Sequence, residues 1–271
     1  MDTGTDHLLA DLDSGVLTLT LNRPEARNAM SGEMVTALAH MLADAEFNPD
    51  VRCIVLTGSG KGFCAGGDVK AMASSSGGSS KSTTIDNAIL RQRAEQRNTA
   101  GKLYRMPKPT IASLPGAAAG AGLSLAWACD LRIMASSAIM TTAFAKVGFS
   151  GDYGGTFFLS QLVGSAKARE LYYLSDRVGA EEALDLGLTN WVCEPDELNT
   201  KTKEIANRLA AGPVVALGYM KENLNRAIET GDLEDCLDIE ATHHIHCART
   251  EDHREATKAF VEKRQPVFKG R

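Results

Sequence analysis

Leu114-Pro115-Gly116-Ala117-Ala118-Ala119-Gly120-Ala121-Gly122-Leu123-Ser124-Leu125-Ala126-Trp127-Ala128-Cys129-Asp130 is the run around which the rest of the chain falls into place. From Gly120 to Cys129 it carries no charge and, Trp127 and the leucines apart, little bulk. That composition predicts a helix whose glycine-rich start lets other atoms come close to its backbone. The first turn of a helix presents N–H groups without internal partners and the positive end of the dipole, so a carbonyl oxygen or a developing oxyanion is a natural guest. Small residues also permit close helix packing with no ligand at all. A second glycine-rich loop upstream favours the ligand.

That loop, Lys61-Gly62-Phe63-Cys64-Ala65-Gly66-Gly67-Asp68-Val69-Lys70, follows Val51-Arg52-Cys53-Ile54-Val55-Leu56-Thr57, a short apolar run ended by Gly58-Ser59-Gly60. The run predicts a buried strand. The loop is neither a dinucleotide fingerprint nor a P-loop, because the G-x-G-x-x-G spacing fails and Gly60-Lys61 is followed by Gly62 in place of Ser or Thr. Further upstream, residues 8–13 and 16–22 alternate around Asp13-Ser14-Gly15, the pattern of a β-hairpin. Pro24 ends the second strand in a charged loop, and Ser31 reads as the cap of a helix with Glu33 in its first turn and apolar spacing through Met34, Val35, Leu38, Met41 and Leu42.

Residues 73–84 are Ser- and Gly-rich and predict a loop inside the domain, near the second glycine loop. A helix is predicted over 85–105, ended by Met106-Pro107-Lys108-Pro109, and short strands over 110–114 and 131–135. Residues 148–156 form a third glycine-rich loop. Beyond it helical patterns cover 157–163, 166–174, 180–186, 195–211, 213–229 and 233–247, with one more after Thr250 and Trp191-Val192-Cys193 as the strand candidate among them. Strands and helices alternate in the first half and helices fill the second, which predicts an α/β core with a helical C-terminal part.

At 271 residues the chain can bury a substantial core, and its net charge of −5, with no basic run, leaves no electrostatic footprint for nucleic acid or anionic lipid. The N-terminus lacks the basic start and apolar run of a signal peptide, and the apolar block ending at Cys129 is too short to span a bilayer. A cytoplasmic protein with no membrane partner is expected. Six cysteines, with no Cys-x-x-Cys pair, signal neither a disulfide framework nor a zinc knuckle. Glu240, His243, His244 and Cys247 would share one helix face, yet four ligands on one straight helix cannot surround an ion, so no metal is expected.

Leu21-Asn22-Arg23-Pro24 with Asn28-Ala29, Gly62-Phe63-Cys64-Ala65-Gly66-Gly67-Asp68-Val69, Pro115-Gly116 with Gly120-Ala121-Gly122, and Cys129-Asp130 together resemble the enoyl-CoA hydratase/isomerase (crotonase) family. Thr250-Glu251-Asp252-His253-Arg254-Glu255-Ala256, with Ala259-Phe260-Val261-Glu262-Lys263-Arg264, is similar to that family's C-terminal helix. The resemblance implies an α/β, crotonase-like spiral of ββα units over residues 1–195 and a helical part over 196–271 that builds a homotrimer or hexamer. It implies an acyl-CoA thioester as substrate, with coenzyme A arriving as part of that substrate and no further cofactor.

In the family two backbone N–H groups hold the thioester oxygen as it becomes an enolate, and carried over by position they belong to Gly67 and Ala121. One such preorganised donor contributes ~3 kcal/mol or more to lowering the barrier. The resemblance also implies substrate contacts at Ala26, Arg27, Ala65, Asp68, Val69, Lys70 and Phe144, with Arg27 and Lys70 placed to meet the CoA phosphates. Hydratase members carry two glutamates; aligned on Cys129-Asp130, those positions are Ser124 and Phe144, and neither can serve as a general base.

Asp152, in Ser150-Gly151-Asp152-Tyr153-Gly154-Gly155, falls near where some isomerase and dehalogenase members place a catalytic acid. A single carboxylate can carry a proton from one carbon to another while the enolate is held. The expectation is therefore an enoyl-CoA isomerase with Asp152 as the shuttling base. Its alternatives are an enoyl-CoA hydratase with an atypical acid/base arrangement and a non-catalytic acyl-CoA-binding homologue. Three local readings compete with catalytic ones: Asp152 as a cap of the helix starting near Gly155, Ser124 as the serine of a near-miss nucleophile elbow, and Cys64 as a small packing residue.

Overall fold

The computed structural model describes residues 1–69 and 84–271. Lys70 and nearly all of the loop expected over 73–84 lie outside the described residues.

β1 (Leu8–Asp13) and β2 (Val16–Leu21) form the expected antiparallel hairpin, in register from Leu8 opposite Leu21 to Asp13 opposite Val16. Ser14 and Gly15, at φ 51° and 82°, supply the left-handed pair that a two-residue turn of this hand requires. Ser31 caps α1 (Gly32–Phe47) by accepting a hydrogen bond from Met34 N–H at 3.2 Å, and the helix buries the apolar positions its spacing marks.

After α1 a two-strand step repeats. β3 (Cys53–Gly58) leads into β4 (Gly62–Cys64), β5 (Thr110–Leu114) into β6 (Ala117–Ala119), and β7 (Leu131–Ala135) into β8 (Ile139–Thr141), each pair followed by helix. The first member of each pair joins a six-stranded sheet in the order β1-β2-β3-β5-β7-β10, parallel from β2 onward, where β10 is Trp191–Cys193. The second member joins a four-stranded sheet in the order β4-β6-β8-β9, with the two-residue β9 (Val178–Gly179) antiparallel at its edge. This is the spiral of ββα units expected of a crotonase-like α/β fold. The strands of the small sheet are too short for any alternation to register, and the sequence leaves them inside loops.

The helix expected over 85–105 is two helices, α2 (Ile85–Asn98) and α3 (Ala100–Arg105). Thr99 breaks it at φ −117°, ψ −87°, fully buried, with its hydroxyl donating to Glu95 O at 2.7 Å. The break lets α3 turn Leu103 into the core, while α2 buries none of its residues. Every residue of α4 (Gly120–Ala128) is buried, which is why the segment carries no polar face. α5 (Gly155–Leu174) is interrupted at Gly164, at φ 74°, between the two helical runs read from the sequence.

α6 (Ala180–Asp185) and β10 close the spiral. α7 (Leu198–Ala210) then lies on the large sheet against β2, β3, β5 and β7, where the Ser113 and Thr202 hydroxyls meet at 2.8 Å. α8 (Val214–Thr230), α9 (Leu233–Ala248) and α10 (Glu251–Glu262) complete the chain. No helix among the described residues is long and apolar enough to cross a membrane.

An ion pair, buried at its lysine end and half-buried at its aspartate end, fastens α8 to the core. Asp130, at the head of β7, accepts from the Thr110 backbone N–H at 2.8 Å and hydroxyl at 3.0 Å, and meets Lys221 Nζ of α8 at 2.9 Å. Lys221, itself buried, also donates to Leu103 O and Lys108 O. Removing one partner of such a pair strands the other's charge at a cost of several kcal/mol. Lys221→Met is expected to lower stability by about 3 kcal/mol, read as a drop in the urea midpoint; an unchanged midpoint would show that Asp130 is solvated without it.

Candidate active site

The small sheet brings three loops together. β4, β6 and β8 lie side by side and parallel, so the segments leaving their carboxyl ends are neighbours: residues 65–69, the start of α4, and the chain from Thr142 onward. The carboxyl edge of parallel strands is where α/β sheets receive ligands, because chain reversals there leave backbone groups free to face one.

The first two loops touch through their backbones. Gly66 O accepts from Met30 N–H at 2.8 Å, and all described peptides are trans, so the N–H of Gly67 points to the opposite side of the chain from Met30. A Cβ on Gly66, whose φ is +89°, would stand 2.8 Å from Ala119 O and 3.3 Å from Ala121 N. Ala121 is the second residue of α4, so its N–H has no acceptor within the helix. Gly122 seats α4 directly on the end of β4: a Cβ there would meet Cys64 Cβ and Sγ at 2.5 Å. Two backbone N–H groups without helical or strand duties thus stand on touching segments.

Asn28, fully buried, holds this arrangement from below. Its side chain accepts from Arg23 N–H and donates to Ser59 O and Gly62 O, each at 2.9 Å. Ala65 N–H donates to Arg27 O at 3.0 Å, which sets Ala26 and Arg27 beside Ala65, with the Arg27 side chain exposed. Asp68 is paired with Arg23 at 3.0 Å, so its carboxylate anchors the loop, and Val69 is exposed. Cys64 is a packing residue: its thiol is buried against Gly122, is directed at Asn28 O at 3.0 Å, and is pushed up to about 12 by burial.

The third loop carries Asp152 on a strained backbone. Gly151, Tyr153 and Gly154 all have positive φ, and for a bulky residue such as Tyr153, at 49°, that conformation is costly and must be held by its surroundings. Gln96 of α2 helps to hold it, accepting from Tyr153 N–H at 2.9 Å. The Asp152 side chain does not cap α5. The cap position is Gly154, no side chain bonds the first turn, and it is the Asp152 carbonyl that receives Gly155 N–H at 3.1 Å. Among the described residues the buried Oδ1 of Asp152 has no hydrogen-bond partner, and burial raises its carboxyl to about 6.

Phe144 and Tyr172 connect this loop to α4. Their rings stack at 5.8 Å, and the Phe144 ring edge lies 3.7 Å from where a Gly120 Cβ would stand. Tyr172 packs on Gly151 and Gly155, and Ser124 Oγ also abuts Gly155 while donating to Gly120 O at 3.3 Å. Ser124 is therefore fully buried and committed to its own helix, which does not fit a nucleophile. No local signal in the sequence marks Tyr172 or Gln96, because Gln96 acts on Tyr153 and Tyr172 on Phe144, far apart in the chain. In α9, His243 stacks on Tyr219 at 4.1 Å with Nδ1 2.6 Å from Asn223 Oδ1, and among the described residues no group of three side chains could hold a metal ion.

The family model for enoyl-CoA hydratase/isomerase matches residues 11–271. The chain belongs to the enoyl-CoA hydratase/isomerase (crotonase) family. Its similarity to the 1,2-epoxyphenylacetyl-CoA isomerase of Escherichia coli is 36% identity, covering 98% of this chain and 99% of the relative. With the short-chain-enoyl-CoA hydratase of Clostridium acetobutylicum it shares 33% identity over 96% of each. An enoyl-CoA hydratase from Bacillus anthracis has the same fold, with a TM-score of 0.89 at 31% identity over 98% of this chain and 100% of that one. The crotonase fold, with two sheets and a helical C-terminal region, and an acyl-CoA enzyme follow from these likenesses. Isomerases and hydratases both occur among the relatives, so the choice between them rests on this chain's own residues.

Proposed function

We propose that this crotonase-family enzyme is an enoyl-CoA isomerase, in which Gly67 and Ala121 N–H hold the thioester oxygen and Asp152 moves the proton. The observation that carries the reading is the Asp152 carboxylate, half-buried, with its Oδ1 buried and unpartnered among the described residues, and raised to about 6. A general base works best with a pKa near the operating pH, and a carboxylate tuned upward by burial meets that requirement. The positions at which hydratase members carry glutamates hold Ser124 and Phe144, one committed to Gly120 O and the other stacked on Tyr172. Ala26, Arg27, Ala65 and Val69 form the rim for the CoA portion, and Lys70 is assigned there by resemblance alone.

Incubation in D2O with matched 2-enoyl and 3-enoyl thioesters tests the assignment. Migration of the double bond with deuterium incorporation is expected; gain of one water and no migration would replace it with hydration.

The exposed apolar residues of α8 and α9, among them Met220, Leu224, Leu237 and Ile245, support a homotrimer or hexamer built by the helical part after residue 195. Sedimentation at micromolar concentration is expected to give a multiple of three chains, and a single-chain mass would overturn the assembly.

A further inference from the structure

We infer that the acyl group taken by this site bears a planar, unsaturated ring, seated in a cavity of about 370 Å³ beside the Asp152 loop. The inference rests on the proposed role of Asp152. The cavity is lined by Tyr153 and Gly154, the two residues that follow Asp152, and by Gln96, which holds the Tyr153 backbone. Asp152 itself is not part of that lining; its two successors in the chain are, and we place the ring of the acyl group beyond them, in this cavity.

Its walls are chemically unusual. Aromatic residues make up 6% of the chain, yet every large apolar side chain among the described lining residues is aromatic: Tyr104, Tyr153, Phe157 and Phe158. Leu, Ile, Val and Met, the natural wall of a straight alkyl chain, are absent from that lining. Three of the rings are arranged on one another. Tyr104 meets Phe157 edge-on at 5.7 Å and Phe158 at 5.4 Å, and Phe157 and Phe158 are T-shaped at 5.5 Å.

Such spacings are those at which ring quadrupoles attract, and a further flat ring extends the array where an alkyl chain gains only buried area. Arg105 holds Tyr104 in position, its guanidinium 5.9 Å from the ring centroid and its Nη2 3.1 Å from Glu229 Oε1. Phe157, partly exposed, presents an unfilled face at the cavity.

The test is calorimetric binding of 3-phenylpropanoyl-CoA against the saturated straight-chain thioester of equal carbon count. Neither has a double bond to move, so the result is independent of the chemistry assigned to Asp152. The ring thioester is expected to bind about tenfold more tightly. In Phe157→Leu, which keeps apolar bulk at a partly exposed position and removes the ring, the ratio is expected to fall to about twofold or less. Equal or tighter binding of the straight chain by the wild type would overturn the inference, as would an unchanged ratio in Phe157→Leu. If the ring preference holds while Asp152→Asn still isomerises, the base assignment falls and the subsite stands.

Discussion

Asp152→Asn is expected to lower the rate of double-bond migration by ~10²–10⁴, the usual contribution of a positioned acid or base, while thioester affinity stays within a few fold. The amide has nearly the shape of the carboxylate and cannot accept a proton, so the loss falls on kcat. Wild-type kcat/KM should follow ionisation of the carboxylate and decline below about pH 6, the value to which burial raises it.

The same shift makes a second, opposite prediction about stability. The folded pKa lies above the ordinary value of 3.8, so folding disfavours the ionised form. The penalty is absent below about pH 4 and complete above about pH 6. Asp152→Asn removes it, so at pH 8 the variant should be more stable than the wild type by ~1–2 kcal/mol after discounting for partial solvent screening. The gain should fade as the pH falls through the interval between the two pKa values. A variant that isomerises normally and unfolds at lower urea than the wild type at pH 8 would make Asp152 a structural residue.

Gly66→Ala should be nearly as damaging by a different route. Its φ of +89° strains any residue with a side chain, and the added methyl would press on Ala119 O at 2.8 Å and Ala121 N at 3.3 Å. The relief available is separation of the two backbones that carry the Gly67 and Ala121 N–H groups. Donors aimed at a developing oxyanion lose their effect when displaced by a fraction of an ångström, so kcat is expected to fall ~10²–10³. KM should change little, because the ground-state carbonyl gains less from these donors than the enolate does. A thermal melt separates this from unfolding: wild-type turnover in a folded Gly66→Ala protein would remove these N–H groups from the mechanism.

The elements that carry strong local signals were legible before folding. The β-hairpin closes at Ser14-Gly15, Ser31 caps α1, and α4 begins at Gly120, as periodicity and turn chemistry require. The glycine loops and Asn28 were legible as a family pattern, and that pattern carries the fold. The short strands of the small sheet escaped because three residues contain no period, and the break at Thr99 escaped because its cause is a buried hydroxyl bonded one turn back.

The sequence by itself determined the composition of the proposed site: two glycine-rich loops, a carboxylate at Asp152, and Ser124 and Phe144 at the positions aligned with the glutamates of hydratase members. Only the tertiary structure decided what those residues are free to do. Parallel pairing of β4, β6 and β8 brings loops from three distant parts of the chain into contact, and pairing between strands is a long-range choice that no local window contains. Burial detached the Asp152 side chain from helix capping and raised its pKa, while Phe144 turned to stack on Tyr172. The ring-lined cavity is likewise assembled from α2, α3, the Asp152 loop, α5 and α8, which bring Tyr104 from a distant part of the chain against Tyr153, Phe157 and Phe158.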